Sequence, residues 1–272
     1  MLSIIVSWRD RVELARSLPS LLAVATQTNG QVCVVNFSGN ENLLAAQLEG
    51  ADGPLTILDV RGEQYFNKSR AHNIGIASTT SPYLFFCDCD IVLEPEVLTS
   101  LLDAVALEPE TFGTLAGVRE SEVNSRKAGH VSCFGYELKI RTADGRVLQI
   151  IDNEEDANDG TRQAPGLLLA RRQDLLAIGG YNGNLIGWGW EDQDMIGRLT
   201  LGRGLRRVSR GQALHLSHDD LARVANYPIT NRWESRDKMF RQALANYDRA
   251  DFRGTLLEDA RKYGAAMASV GA

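Results

Sequence analysis

The feature that most restricts the fold is a regular alternation of short apolar runs with helical patterns in the first third of the chain. The apolar runs predict strands at residues 2–6, 32–36, 55–60 and 83–87, and the segments between them predict helices at residues 12–25, 42–48 and 69–77. Strands that alternate with helices form βαβ units, whose strands lie parallel in one sheet. We therefore predict an α/β fold with a mostly parallel central sheet flanked by helices.

The rest of the chain is less regular. Further helices are predicted at residues 95–107, 172–178, 192–201, 232–246 and 256–263, and short strands at residues 167–170 and 213–216. A hairpin is predicted from residues 136–141 and 147–151 around the turn at 143–145. It is followed by an acidic segment, residues 152–160, that we predict to be a mobile loop. No repeat, linker or low-complexity tract divides the 272 residues, so a single domain is predicted.

Composition excludes some classes of function. The net charge of -6 and the pI of about 5.3 argue against nucleic acid as a partner. The four cysteines show no metal-site spacing. No apolar run is long enough for a membrane span, and the N-terminal segment is too short and lacks the basic start of a signal peptide. We expect a cytoplasmic protein.

Two carboxylates, Asp88 and Asp90, directly follow the predicted strand at residues 83–87. Ligands of open α/β sheets bind at the carboxyl ends of the strands. Mg²⁺ and Mn²⁺ prefer oxygen ligands and are held by one or two carboxylates together with substrate phosphates. The pair therefore predicts a metal site. The alternative is a turn with two solvated acids.

The segment Gly187-Trp188-Gly189-Trp190-Glu191-Asp192 combines glycines, aromatic rings and acids. Trp188 and Trp190 offer flat apolar faces that suit sugar rings. Glu191 and Asp192 open a predicted helix, where the helix dipole favours an ionised carboxylate that could accept a proton from a hydroxyl. The alternative is a turn rich in glycine and tryptophan with acids that cap the helix.

Two of the four histidines, His215 and His218, lie at the end of a predicted strand. A neutral imidazole could complete the shell of a metal ion. His218 is at the exit of the strand and is the favoured ligand, whereas His215 fits a buried strand position. A purely structural histidine is the alternative at either position.

Two basic segments could contact phosphates. After the first strand, Trp8 could stack on a base and Arg9 could pair with phosphate. Lys68 and Arg70 lie at the start of a predicted helix, which is unfavourable for cations unless an anion is nearby. Solvated basic turns are the alternative in both cases.

Together these segments resemble the GT-A glycosyltransferases, and in particular the β-1,4-galactosyltransferase group and the catalytic modules of chondroitin-polymerising enzymes. The resemblance spans residues 2 to about 220 and is weakest over residues 119–164. It implies that the nucleotide-diphosphate donor and the metal are held by Ser7, Trp8, Arg9 and Arg11, by Phe66, Asn67, Lys68 and Arg70, by Asp88 and Asp90, and by the metal-binding His218. Trp188 and Trp190 belong to a segment that resembles the family's acceptor motif and would form walls for the sugars.

The same resemblance implies a mechanism and a division of the chain. Asp192 matches the proposed catalytic base, beside Glu191, and Trp190 replaces a glycine of the family motif. The expected reaction is an inverting, Mn²⁺- or Mg²⁺-dependent transfer of a hexose or N-acetylhexosamine from a UDP-sugar to a saccharide or other hydroxyl-bearing acceptor. Residues 1–118 would bind the nucleotide, residues 119–220 would hold the acceptor and the catalytic groups, and residues 221–272 would form C-terminal helices.

Two other functions compete with this interpretation. A nucleotidyltransferase could share the sheet and an acidic metal site, but it would need a glycine-rich phosphate loop near the first strand, and residues 6–11 contain no glycine. A non-catalytic carbohydrate-binding module could use the tryptophans, but it has no need of paired carboxylates and a base.

Overall fold

The alternation predicted for the first third of the chain is present in the structure, a computed structural model that describes residues 1–123 and 129–264. The elements in this part are β1 (Leu2–Trp8), α1 (Leu14–Gln27), β2 (Gln31–Phe37), α2 (Glu41–Gln47), β3 (Leu55–Val60), α3 (Lys68–Ser78) and β4 (Tyr83–Asp88). Every predicted strand and helix of this region is found, with ends that differ by at most a few residues.

The second part contains more strands than the sequence predicts. Its elements are β5 (Ile91–Val92), α4 (Pro95–Leu107), β6 (Thr111–Thr114), β7 (Gly117–Glu120), β8 (Gly135–Arg141), β9 (Val147–Asn153), β10 (Thr161–Arg162), β11 (Leu168–Arg171), α5 (Arg172–Ala177), α6 (Glu191–Gly197), a π-helical turn (Arg198–Gly202), β12 (Arg206–Ser209), β13 (Gln212–His215), α7 (Asp220–Val224), α8 (Arg232–Asp248) and α9 (Leu256–Lys262). Residues 124–128 of the predicted acceptor half and residues 265–272 of the predicted C-terminal helices lie outside the described residues.

The central sheet has seven strands within the described ranges, in the order β12-β6-β11-β4-β1-β2-β3. Neighbours are parallel except at β11, which runs antiparallel to both β4 and β6. The predicted α/β class with a mostly parallel sheet, as in the GT-A fold, is confirmed. The central strand β1 is buried along its whole length, which explains why it reads as an apolar run rather than as an alternating pattern.

A smaller sheet lies at the end of β4, with its strands in the order β10-β7-β13-β5. The chain leaves the central sheet at Asp88 and enters the smaller sheet at Ile91, so the two carboxylates of the acidic motif lie at the junction. In the smaller sheet β13 is antiparallel to β5 and parallel to β7. This pairing brings three segments that are distant in sequence to the carboxyl end of β4.

The core consists of two clusters of buried apolar side chains. Successive residues of β1 contribute to them in turn, with Ile5 in one cluster and Ile4 and Val6 in the other. Cys87 and Cys89 are buried in the second cluster and are free thiols. No helix among residues 1–123 and 129–264 is both long and apolar enough to cross a bilayer.

Candidate active site

The strand register of the smaller sheet places two histidines beside Asp90. In the β13–β5 pair His215 faces Ile91, and the backbone N–H of Leu216 donates to the carbonyl of Asp90 at 2.8 Å. In the β13–β7 pair His215 also faces Glu120. The strand pairing therefore places His215, and His218 three residues later, beside the carboxylate of Asp90.

The three side chains form a compact cluster. Nε2 of His218 is 3.1 Å and Nε2 of His215 is 3.5 Å from Oδ2 of Asp90, and the potential ligand atoms of the three residues all lie within 4.8 Å of one another. Asp90 and His215 are buried. Both histidines that the sequence offers as candidate ligands therefore belong to the cluster. His215 lies beside the favoured His218 and is not an alternative to it.

The surroundings of the imidazoles favour a cation between them. Nδ1 of His215 is 2.7 Å from Oε2 of Glu120, and Nδ1 of His218 is 3.0 Å from the carbonyl of Asp219. If each Nδ1 donates its proton to that partner, both Nε2 lone pairs face the carboxylate of Asp90, which is repulsive unless a proton or a metal ion lies between them. Metal-binding histidines are oriented by carboxylates and carbonyls in this way.

Asp90 itself has the character of a ligand. Its Oδ1 atom is buried and has no hydrogen-bond partner among the described residues. Burial alone would raise the pKa of this carboxyl group. The ion pair with His215, the hydrogen bonds from His215 and His218 and the nearby Arg11 outweigh burial and hold the pKa well below its ordinary value. A buried, ionised carboxylate with a free oxygen fits a divalent cation.

Asp88 is not a member of this cluster, which differs from the prediction that both acids could bind the metal. Its Oδ1 accepts from Nζ of Lys68 at 2.8 Å. The same ammonium group donates to Oδ2 of Asp192 at 3.1 Å. Lys68 is buried, so its charge requires nearby carboxylates, and it joins the acidic motif after β4 to the start of α6.

Asp192 is an unusually basic carboxylate. Burial raises its pKa to about 7, with Lys68 opposing the shift and the neighbouring Glu191 and Asp88 adding to it. Its Oδ1 is buried without a hydrogen-bond partner among the described residues. The backbone at Gly166 packs closely on the carboxylate, because a Cβ there would lie 2.4 Å from Oδ2. The group is therefore held in place with one oxygen free.

The turn before α6 depends on glycine. Gly187 and Gly189 have φ values of 139° and 116°, which side-chain-bearing residues rarely adopt. A Cβ at Gly187 would lie 2.4 Å from Oγ of Ser235 on α8. The carboxylate of Glu191 accepts from the N–H of Gly189 at 3.0 Å, which closes the turn. The glycines thus let the turn approach α8, and Glu191 has a structural contact in addition to its place in the cleft.

The two tryptophans of this turn have different positions. Trp188 is half-buried and lines the cleft, with the guanidinium of Arg232 5.7 Å from its ring centroid. Trp190 is only 3% exposed and packs on Phe240 of α8 with ring centroids 4.7 Å apart. The expectation that Trp190 forms a wall of the sugar site is corrected, because its side chain faces the core between α6 and α8.

Trp8 also differs from its predicted role. It is fully buried in the core cluster beside α1, and its indole N–H donates to the carbonyl of Arg11 at 2.8 Å. It lies outside the cleft lining, so it is not placed to stack on a base. A tryptophan ring suits an apolar core as well as a ligand, and the sequence does not distinguish the two.

The cations at the start of α3 are balanced by side chains. Lys68 contacts Asp88 and Asp192, and Nε of Arg70 lies 3.5 Å from the carboxylate of Asp259 on α9. The anions that the sequence analysis required at this helix start are therefore carboxylates of the protein. Arg70 lies outside the cleft lining, which corrects its predicted role in binding phosphate.

Two other members of the predicted donor site have structural contacts. Asn67 caps α3 by accepting from the N–H of Arg70 at 3.0 Å, and it lies outside the cleft lining. Arg9 does line the cleft, but its guanidinium donates to the carbonyls of Glu63 at 3.2 Å and Gln64 at 3.1 Å. Arg9 therefore holds the loop before α3 as well as facing the cleft.

Most of the site residues predicted from the sequence line a single cleft. Twelve of the sixteen named in the sequence analysis line it, and these are Ser7, Arg9, Arg11, Phe66, Lys68, Asp88, Asp90, Trp188, Glu191, Asp192, His215 and His218. The positions 90, 192 and 218, which are far apart in the chain, therefore meet at one edge of the sheet.

Several residues of the site were missed by the sequence analysis. Glu120 is buried, orients His215, and is held by Nε of Arg162 at 2.7 Å and by the hydroxyl of Ser217 at 2.8 Å. It lies in the polar segment at residues 119–164, where the resemblance to the family is weakest. The cleft is also lined by arginines of α7 and α8, namely Arg223, Arg232 and Arg236, whose only signal in the sequence is the basic character of that region.

The different positions of the two tryptophans predict different effects on stability. Trp190→Ala is expected to lower the free energy of unfolding by about 3–5 kcal/mol, because it empties a buried site in the core. Trp188→Ala, at a half-buried position, is expected to cost about 1 kcal/mol. Urea unfolding followed by circular dichroism measures both. Equal losses in the two variants would contradict the assignment of Trp190 to the core.

Comparisons with known proteins agree with this architecture. The sequence profile of a family described as "Glycosyltransferase like family 2" matches residues 26–233, which is more than half of the chain. Among curated proteins no significant match was found. Among solved structures, the catalytic domain of Drosophila beta1,4galactosyltransferase 7, determined in complex with xylobiose, is similar with a TM-score of 0.50 and 14% sequence identity over 88% of this chain and 79% of that one.

The two comparisons carry different weight. At 14% identity the structural likeness shows a shared fold and nothing more specific. The match to the sequence profile runs from the last two residues of α1 to the start of α8 and includes both acidic motifs, His215 and His218. It favours glycosyl transfer over the nucleotidyltransferase and over a module that only binds carbohydrate. The chain belongs to the glycosyltransferase-like family 2.

Proposed function

We propose that this glycosyltransferase is an inverting, metal-dependent enzyme that transfers a hexose or N-acetylhexosamine from a UDP-sugar to a hydroxyl group of a saccharide acceptor. The single observation that carries the proposal is the cleft in which the cluster of Asp90, His215 and His218 and the basic carboxylate of Asp192 lie together. The donor and its sugar follow from the resemblance of the motifs to the β-1,4-galactosyltransferase group.

The cluster at Asp90 supports metal dependence. One carboxylate and two imidazoles suit Mn²⁺, and Mg²⁺ is the alternative because it favours oxygen ligands more strongly. When bound there, the ion would offset the negative charge that develops on the departing diphosphate. Glu120 would fix the orientation of His215, and Arg11, whose Nη2 lies 3.3 Å from Oδ2 of Asp90, would add positive charge at the same place.

Asp192 would act as the general base. Its free oxygen would accept the proton of the acceptor hydroxyl while the hydroxyl oxygen attacks the anomeric carbon of the donor sugar. The bond from that carbon to the UDP oxygen breaks as the new bond forms, so a single displacement inverts the anomeric centre. Lys68 holds Asp192 in place and, through Asp88, keeps the base next to the metal cluster.

The nucleotide would occupy the part of the cleft formed by the ends of β1 and β4 and the loop before α3. Ser7 and Asp88 face each other in the β1–β4 register, and Phe66 lines the same wall. Trp188, with its partly exposed ring, would form one wall for the transferred sugar. The acidic segment at residues 152–160 contributes Asp152 and Glu154 to the cleft, and we propose that it is a lid that becomes ordered when the donor binds.

The proposal is tested by titrating the protein with UDP in the presence and absence of Mn²⁺. We expect calorimetry to show at least about tenfold tighter binding with Mn²⁺, because the ion would join the diphosphate to the cluster. Binding of equal strength with Mn²⁺ and with EDTA would contradict metal dependence. A donor screen that measures UDP release from several UDP-sugars then identifies the sugar, since slow hydrolysis requires no acceptor.

A further inference from the structure

Three exposed aromatic rings lie together at the open end of the β8–β9 hairpin. Phe134 is 53% exposed, Tyr136 is 41% exposed, and Trp233, at the start of α8, is 42% exposed. The rings of Phe134 and Trp233 have centroids 6.5 Å apart with an interplanar angle of 39°. We refer to Phe134, Tyr136 and Trp233 as the hairpin platform. Exposed aromatic groups that lie side by side mark binding surfaces more often than isolated ones.

Two guanidinium groups of α8 lie on these rings. Arg232 is 4.7 Å from the ring centroid of Trp233, and Arg236 is 5.2 Å from that of Tyr136 and 5.9 Å from that of Trp233. The cations restrain the rings of Tyr136 and Trp233, and these residues are nevertheless 41% and 42% exposed. The platform is thus ordered before any ligand binds, which lowers the entropic cost of binding.

Among the described residues, each guanidinium group on the platform has a carboxylate partner. Arg232 lies 3.5 Å from the carboxylate of Glu154, and Arg236 forms an ion pair with Asp152, which also accepts from the hydroxyl of Tyr136. Anionic lipid surfaces and acidic polymers attract clusters of uncompensated basic residues. The pairing of both guanidinium groups with carboxylates therefore favours a ligand that combines an apolar face with hydroxyl groups, and a sugar ring has both.

The platform continues into the cleft. Arg232 and Arg236, whose guanidinium groups lie on the platform, also line the cleft that contains Asp192. Asp152 also contacts both the platform and the cleft. Its Oδ2 accepts from the hydroxyl of Tyr136 and lies 3.4 Å from Nε2 of Gln193, the residue after Asp192. A chain of sugars with its terminal hydroxyl at Asp192 can therefore follow this wall outward to the exposed rings.

We propose that the hairpin platform binds the distal sugar units of the acceptor, and that the acceptor is an oligosaccharide or polysaccharide end rather than a small natural product. This inference rests on the proposed function, since it takes Asp192 as the place where the acceptor hydroxyl reacts. The sugars would stack their C–H faces on Trp233 and Phe134, and the carboxylates and guanidinium groups around the rings would bond their hydroxyls.

The test compares Trp233→Ala, Trp233→Phe and a control variant, Leu107→Ala, which removes an exposed side chain on α4 outside the cleft lining. A printed array of neutral saccharides, from monosaccharides to hexasaccharides, identifies ligands of the unchanged protein, and each ligand series is then titrated in solution. Circular dichroism confirms folding of each variant, and Mn²⁺-dependent UDP binding is measured separately as a readout of the donor site.

We expect affinity in the unchanged protein to rise with chain length. Trp233→Ala is expected to weaken binding of trisaccharides and longer chains about tenfold and of monosaccharides less than about twofold, because only the longer chains reach the platform. Trp233→Phe is expected to restore most of the affinity, and Leu107→Ala to change none of it. UDP binding should be the same in all variants.

Three results would overturn the inference. They are the absence of saccharide binding by the unchanged protein, an effect of Trp233→Ala that does not depend on chain length, and Trp233-dependent binding to phosphatidylglycerol vesicles in place of saccharides. Failure of the proposed function has a different signature, namely loss of the Mn²⁺ dependence of UDP binding while length-dependent saccharide binding persists.

Discussion

Asp192→Asn is expected to lower the turnover number by about two to four orders of magnitude, which is the usual contribution of a general base. Asparagine has the shape of aspartate but cannot accept the proton of the acceptor hydroxyl. The affinity for UDP with Mn²⁺ should stay within about threefold of the unchanged protein, because the carboxylate lies outside the metal cluster. Measured UDP release with saturating donor gives the turnover number, and calorimetry gives the affinity.

The pH profile distinguishes loss of the base from a general defect. Burial raises the pKa of Asp192 to about 7, and the group can accept a proton only when it is ionised. In the unchanged enzyme kcat/KM should therefore increase with pH and level off above about pH 7, with the midpoint shifted lower if the bound cation favours the ionised form. The residual activity of Asp192→Asn should not show this increase of kcat/KM with pH. Full activity of that variant would remove Asp192 from the proposed mechanism.

The sequence predicts five of the seven described strands of the central sheet, β1 to β4 and β11, and misses β6 and β12. β1, β2 and β4 are buried along nearly their whole length and read as continuous apolar runs, whereas the edge strand β3 is mostly half-buried or exposed and is recognised by its apolar residues alone. The helices between them carry apolar residues at helical spacing, and the acids after β4 mark the edge where ligands bind. Long and strongly patterned elements thus carry enough information for the fold class and for the position of the cleft.

Of the strands in the smaller sheet, only β13 is predicted from the sequence. The strands of this sheet have two to four residues, and β7 combines buried and exposed positions without a run of apolar residues. Their structure depends on pairing with segments up to about a hundred residues away, for which a single sequence gives no signal. The place of Glu120 in the site is therefore recognised only from the pairing of β7 with β13, which puts Glu120 opposite His215.

The roles of individual side chains were the least predictable part of the site. Trp8 and Trp190 belong to motifs that suggest ligand binding, yet both rings are buried in the core. Asp88 and Asp90 are two residues apart, but only Asp90 joins the histidines, because Lys68 pairs with Asp88. Motif spacing fixes where a residue lies along a strand or helix, whereas these roles depend on which neighbours pack against it.

Asp90→Ala is expected to lower Mn²⁺-dependent turnover by about three orders of magnitude or more. The substitution removes the only carboxylate of the described metal cluster, and a metal ion that stabilises a leaving group contributes several kcal/mol to the rate. The Mn²⁺ dependence of UDP binding should disappear at the same time. UDP release and calorimetry with Mn²⁺ measure the two effects, and Asp90→Asn provides a variant of unchanged size if the alanine variant does not fold.

Glu120→Gln tests whether the loss arises through the metal. Glu120 contacts His215 and lies outside the cluster of potential ligands, so its amide should weaken Mn²⁺ binding about 10- to 100-fold, as substitutions around metal-binding histidines do. Most of the turnover should therefore return at high Mn²⁺ concentration, whereas Asp90→Ala should not recover. Glu122→Gln, at an exposed acid two residues away, is the matched control and should behave like the unchanged protein. Recovery of Asp90→Ala at high Mn²⁺, or equal Mn²⁺ affinity of Glu120→Gln and Glu122→Gln, would contradict the assignment of this cluster as the metal site.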